Sequence, residues 1–66
     1  MQISLKAARV NAGYTQGDIA KKLKKTKQTI VNWENGKTPI DMANFKMLCE
    51  MYKINTDCIF LPKRLA

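Results

Sequence analysis

The sequence predicts an all-α fold, five short helices in one domain spanning residues 1–66. Three observations carry this. Apolar residues recur at spacings of three and four, and no segment keeps an alternation of two for long. Polar capping residues precede the apolar stretches, and Gly, Asn-Gly or Pro follow most of them. The spacers left over are about two to six residues, the usual length of a helix–helix connection. A chain of 66 residues leaves room for one domain and one core.

The first helix is expected from about Ile3 to Ala12, with Leu5, Ala8 and Ala12 on one stripe. Gly13 stops it, because glycine enters the left-handed region at little steric cost. Thr15 caps a second helix, and Thr15-x-x-Asp18 has the spacing of a capping box, with Asp in place of Glu or Gln. Ile19, Ala20 and Leu23 form its apolar face, and it ends near Lys24. Thr26 caps a third helix, Lys27 to Glu34, whose Ile30 and Trp33 face inward and which Asn35-Gly36 ends. Thr38-Pro39-Ile40 is a connector, since a proline disfavours helix in the residue before it. Asp41 caps a fourth helix reaching Tyr52, with Met42, Phe45, Leu48, Cys49 and Tyr52 as its buried stripe. Asn55 or Thr56 caps a last short helix carrying Ile59 and Phe60, and Pro62 ends it.

Composition narrows the function. Twelve Lys+Arg against five Asp+Glu give a formal net charge of +7, which points to a polyanionic partner. There is no His, so the commonest general base near neutral pH is absent and enzymatic activity is not expected. Two cysteines with no His and no CxxC make no zinc ligand set, and neither metal nor cofactor is expected. Cys49 and Cys58 are expected to stay reduced and to pack as small hydrophobes. No apolar run approaches the roughly 20 residues of a membrane span and no secretory signal is visible, so an intracellular location is expected. The positive charge is concentrated: Lys21, Lys22, Lys24, Lys25 and Lys27 lie in one stretch with no acid among them. A merely solubilising helix face usually mixes signs.

Two short helices joined by a tight turn, Thr15 to about Gly36, have the form of a helix-turn-helix. In such a unit Ala20 must be small where the helices cross, because overpacking there costs roughly 1–3 kcal/mol. Ile30 and Trp33 anchor the third helix, leaving Lys27, Gln28, Val31 and Asn32 outside. A helix fits the DNA major groove, where Gln or Asn can bond bidentately to adenine and Lys can donate to guanine.

The stretch TQGDIAKKLKKTKQTIVNWENGK, Thr15 to Lys37, resembles the Cro/repressor (Xre) family of helix-turn-helix transcription regulators, whose domains are lambda-repressor-like. The resemblance runs from Leu5 to Phe60: the Thr15-Gln16 opening, small Ala20, apolar Ile19, Leu23, Ile30 and Trp33, the run Glu34 to Lys37, and Pro39 three residues after Gly36. It implies base reading by Lys27, Gln28 and Asn32, with Val31 a candidate for a thymine methyl and Thr29 for a base or phosphate. It implies backbone phosphate contacts by Gln16, Asn35, Lys37 and Thr38, with Thr26 as a further hydroxyl. It implies a structural ion pair between Arg9 and Glu34. Two positions where the family favours Gly carry Lys24 and Lys53, so either a lysine is strained there or the turn differs.

The expected function is a sequence-specific transcription regulator, a repressor of the stand-alone phage Cro type, acting in the cytoplasm of a bacterial host. Its partner would be a pseudo-palindromic DNA operator, bound as a homodimer with half-sites about 34 Å apart. An apolar end of Cys58, Phe60, Leu61 and Pro62 is the expected dimer interface. No small-molecule ligand and no membrane partner are expected, since a basic amphipathic helix with exposed aromatics is missing. The same fold serves antitoxins and restriction–modification controllers. A module that binds an acidic protein through the third helix is the alternative of another class.

Overall fold

The computed structural model describes residues 2–61. In chain order these form β1 (Ile3–Ser4), α1 (Leu5–Asn11), α2 (Gln16–Leu23), α3 (Lys27–Asn35), α4 (Met42–Tyr52), a 3₁₀ turn (Thr56–Cys58) and β2 (Ile59–Phe60). Each helix begins on a side-chain cap, which satisfies one of the backbone N–H groups that a helix start leaves unpaired. Ser4 Oγ accepts from the Ala7 N–H at 3.0 Å. Thr15 and Asp18 form the reciprocal capping box: Thr15 Oγ1 accepts from the Asp18 N–H at 3.0 Å, and the Thr15 N–H donates to Asp18 Oδ2 at 2.9 Å. Thr26 Oγ1 accepts from the Thr29 N–H at 3.3 Å, and Asp41 Oδ2 from the Asn44 N–H at 3.2 Å.

The helix ends share one device. In each case a backbone N–H closes on the carbonyl five residues back: Tyr14 on Arg9 at 3.2 Å, Lys25 on Ala20 at 2.8 Å, Lys37 on Asn32 at 2.9 Å, Ile54 on Cys49 at 3.0 Å. The residue before each donor is left-handed: Gly13, Lys24, Gly36 and Lys53, with φ of 84°, 57°, 74° and 54°. The turn geometry is therefore kept at Lys24 and Lys53, with a lysine carrying the left-handed backbone.

Leu5 and Ala8 of α1, Ile19, Ala20 and Leu23 of α2, Ile30 and Trp33 of α3, and Phe45, Leu48, Cys49 and Tyr52 of α4 meet in one core. Ile40, in a segment expected only to connect, is 2% exposed and belongs to that core. Both cysteines are free thiols, and burial pushes the Cys49 thiol pKa up, which keeps it a neutral packing group.

Several expectations are corrected. The described residues contain four α-helices, not five. After Asn55, which makes no side-chain cap bond, one 3₁₀ turn forms and the chain becomes extended. Ile59 and Phe60 then pair in parallel with Ile3 and Ser4, so the backbone groups of these residues are satisfied between the two ends of the chain instead of within a helix. The same pairing moves the start of α1 from Ile3 to Leu5. Ala12 is exposed beyond the end of α1, so it leaves the buried stripe. Met42, in the first turn of α4, is 46% exposed, and the stripe starts at Phe45. α3 extends one residue further, to Asn35. Pro62 lies outside the described residues.

Two predictions follow from these helix ends. Lys53→Gly removes a left-handed penalty of about 1–2 kcal/mol and adds unfolded-state entropy worth roughly 0.4–1 kcal/mol against it. A net gain of about 1 kcal/mol is expected, raising Tm by roughly 4–8 °C in a domain this size. A fall in Tm would show that the lysine side chain makes a compensating contact. The second concerns acid. The Thr15 N–H and then its hydroxyl hold the Asp18 carboxyl below its ordinary pKa of 3.8, and the Asn44 side-chain amide does so first for Asp41. Because these folded-state values are depressed, the contribution is complete above the ordinary carboxylate range and is lost as pH falls through the lowered values. Urea midpoints are expected to fall below about pH 4, and to fall less steeply in Asp41→Asn, which keeps a capping oxygen without the titration. Superimposable pH profiles for the two proteins would remove Asp41 from the account.

Candidate nucleic-acid interface

The site is built on α3, and α3 is held from beneath. Ile30 is 1% exposed and Trp33 7%. Ala20 is buried on α2, the helix against which α3 packs. A second attachment is polar. Arg9 Nε donates to Glu34 Oε2 at 2.7 Å, and both side chains are nearly sealed from solvent, 9% and 2% exposed. Arg9 Nη2 reaches Glu34 Oε1 at 3.4 Å, and Arg9 Nη1 donates to the Tyr14 carbonyl at 2.9 Å. Gln16 Nε2 donates to Glu34 Oε1 at 3.0 Å. This network joins α1, the turn after it, the start of α2 and the end of α3. The expected structural pair is thus present, and it has two partners that residue patterns alone did not assign.

Tyr52 of α4 lies beside the network. Its ring meets that of Tyr14 with centroids 6.1 Å apart, and its hydroxyl is buried without a hydrogen-bond partner among the described residues. Burial first, and then the Glu34 charge, raise its pKa, so the phenol stays protonated.

The outer side of α3 is different in kind. Lys27 and Gln28 are exposed, while Thr29, Val31 and Asn32 are half-buried. Residues 27, 31 and 35 stand one turn apart on one row and residues 28 and 32 on the next, so these side chains share a surface. The single carboxylate of α3 is Glu34, which is buried under Arg9. The outward face consequently carries hydrogen-bonding groups and positive charge, with no negative charge of its own. Two contacts order it: Gln28 Nε2 donates to Asn32 Oδ1 at 2.9 Å, and the Thr26 and Thr29 hydroxyls lie 3.0 Å apart. Neither was read from the sequence, although the i, i+4 spacing of Gln28 and Asn32 is the signal that finds the first.

The expected phosphate ligands ring this face. Thr26 is the cap of α3 and is exposed, as are Asn35, its last residue, and Lys37 and Thr38 beyond it. Gln16 is half-buried at the first position of α2, with one amide N–H engaged by Glu34. Lys21, Lys22, Lys24 and Lys25 are exposed around the end of α2 and the turn into α3. Near the last described residues Phe60 is 56% exposed, and Cys58 and Leu61 are half-buried. A groove there is lined by Met42, Phe45, Ile59 and Leu61, with Lys46, Thr56 and Asp57 at its edge. Among the described residues no group of three His, Cys, Asp or Glu side chains is placed to hold a metal ion, and no helix is long and apolar enough to cross a membrane.

Glu34→Gln leaves the Arg9 guanidinium buried without its counter-charge. A loss of about 3–5 kcal/mol is expected from equilibrium urea unfolding. A loss below about 1 kcal/mol would place the pair in the class of surface ion pairs and end its structural role.

Comparison with known proteins agrees with this geometry. A family model described as helix-turn-helix matches residues 5–57, which takes in all four helices and the 3₁₀ turn up to Asp57. No curated protein and no solved structure matches the chain. With most of its length covered by that match, the chain belongs to the helix-turn-helix family of Cro/Xre-type DNA-binding regulators.

Proposed function

We propose that the protein is a sequence-specific operator-binding repressor that inserts α3 into the major groove of double-stranded DNA. The observation that carries this reading is the outward face of α3, which presents Lys27, Gln28 and Asn32 from a rigidly anchored helix while its only carboxylate is buried. Lys27 and Gln28 meet base edges, with Asn32 beside them. Val31 offers a methyl surface to thymine, and Thr29 lies at the border between base and phosphate. Gln16, Thr26, Asn35, Lys37 and Thr38 bind backbone phosphates and set the register without reading sequence. Gln16 has a second amide N–H for this purpose after donating one to Glu34. The lysines from Lys21 to Lys25 add a long-range attraction for the polyanion.

The protein binds its operator as a homodimer joined through the apolar surface around Phe60 and Leu61. Support for this comes from the exposed Phe60 and Met42 and the apolar groove beside Leu61, an uncovered apolar surface in so small a chain. Cys58, half-buried and between Asp57 and Ile59 in the chain, joins this interface. A twofold pairing there doubles the phosphate contacts and matches a pseudo-palindromic site.

Selection from random-sequence duplexes is expected to enrich a short inverted repeat, and titration should give two protomers per duplex. Log K should fall against log salt with a slope near −0.9 per phosphate contact. Gln28→Ala is expected to lose about 1–3 kcal/mol on the selected site and to relax one base position. Lys37→Ala is expected to weaken every sequence about equally. No enrichment over bulk DNA would refute the operator reading, one protomer per duplex would refute the dimer, and identical behaviour of the two variants would refute the division between reading and positioning.

A further inference from the structure

We propose that Gln28 and Asn32 form one adenine-reading unit in which Gln28 meets the base and Asn32 is a positioning residue that acts through it. The inference rests on the operator-binding reading above and deepens it. The two amides lie one turn apart on α3 and are joined by Gln28 Nε2 donating to Asn32 Oδ1 at 2.9 Å. Their surroundings are unequal. Gln28 is exposed and Asn32 half-buried. Both backbones are held within α3, so the difference between the two lies in burial. Asn32 is therefore the anchored member of the pair and Gln28 the movable one.

Glutamine is among the side chains that lose most rotamer freedom when they are held. A bond to an anchored neighbour removes part of that freedom before DNA arrives, so less is lost on binding. The bond also edits what Gln28 displays. A glutamine amide has one carbonyl oxygen and two N–H groups. With one N–H given to Asn32, the remainder is one acceptor and one donor. Adenine offers the complementary pair in the major groove, an N6 donor and an N7 acceptor. Guanine offers two acceptors, N7 and O6, and would require both N–H groups of Gln28. Cytosine and thymine each satisfy one half of the remaining edge. Asn32, half-buried and with its oxygen already accepting from Gln28, is the less available of the two amides for a base edge.

The experiment is duplex selection and quantitative binding with the unsubstituted protein, Gln28→Ala, Asn32→Ala and the double variant, with thermal melts to confirm that each is folded. The unsubstituted protein is expected to require adenine at one position of each half-site. Gln28→Ala should flatten that position and weaken binding by roughly 5- to 100-fold. Asn32→Ala should flatten the same position and no other, by a smaller factor, and the double variant should bind no more weakly than Gln28→Ala. A merely structural role for Asn32 would lower affinity without moving base preference. The proposal is overturned if Asn32→Ala relaxes a different base position, if the two losses multiply in the double variant, or if the position read by Gln28 prefers guanine. Enrichment of no sequence by the unsubstituted protein is a separate result and overturns the operator reading itself.

Discussion

The buried contact between Arg9 and Glu34 is the constraint on which the rest of the molecule turns. Four short helices cannot fix one another's orientation through a small apolar core alone, because apolar contact is non-directional. A guanidinium fork on a carboxylate is directional, and here each group is committed further, Arg9 to the Tyr14 carbonyl and Glu34 to the Gln16 amide. The gross stabilisation of such a pair is largely offset by the desolvation of both charges. What it contributes is a fixed relation between α1, the start of α2 and the last turn of α3. Ile30 and Trp33 set the depth of α3, while Glu34 fixes its far end. The pair also has an electrostatic consequence: it withdraws the only negative charge of α3 from the surface that faces outward.

The helix ends carry the second constraint. Each helix starts on a Ser, Thr or Asp side chain and ends on a left-handed residue whose successor closes back five positions. Short helices need this, because an eight- or nine-residue segment has few internal bonds relative to its unpaired ends. At Gly13 and Gly36 the left-handed backbone is adopted without strain. At Lys24 and Lys53 the closure is retained with an ordinary side chain, so the surrounding packing outweighs a penalty of about 1–2 kcal/mol. Lys24 sits between α2 and α3, where replacing glycine with lysine places one more positive charge in the exposed run that continues to Lys27.

Much of this was legible in the sequence because it is written in local chemistry. The caps Thr15, Thr26 and Asp41, the stops Gly13 and Gly36, and the i, i+3, i+4 stripes all act within one or two turns of chain. The Arg9–Glu34 pair spans 25 residues and was legible only through family resemblance, since no local rule joins the two. What was not legible is nonlocal or shared between states. Ile59 and Phe60 have an apolar pattern too short to separate helix from strand, and their conformation is decided by Ile3 and Ser4 at the other end of the chain. Ile40 reads as connector because Pro39 precedes it, yet it is 2% exposed and packs in the core. Met42 fits the stripe by spacing, but the first turn of a helix overhangs the core it enters.

The outward face of α3 is easier to locate from the sequence than to interpret. Residue type and spacing put Lys27, Gln28 and Asn32 outside and Ile30 and Trp33 inside; burial agrees for Lys27, Gln28, Ile30 and Trp33, while Asn32 is half-buried. Spacing does not say which polar groups are already committed to each other. An exposed amide has more hydrogen-bonding capacity than any one base edge requires, so an isolated glutamine is compatible with both adenine and guanine. Removing part of that capacity narrows the choice. In α3 one N–H of Gln28 is already committed to Asn32 on the same helix. The net charge of +7 has no part in that choice: it raises the affinity for any duplex and leaves discrimination to the few groups whose donors and acceptors have been limited in advance.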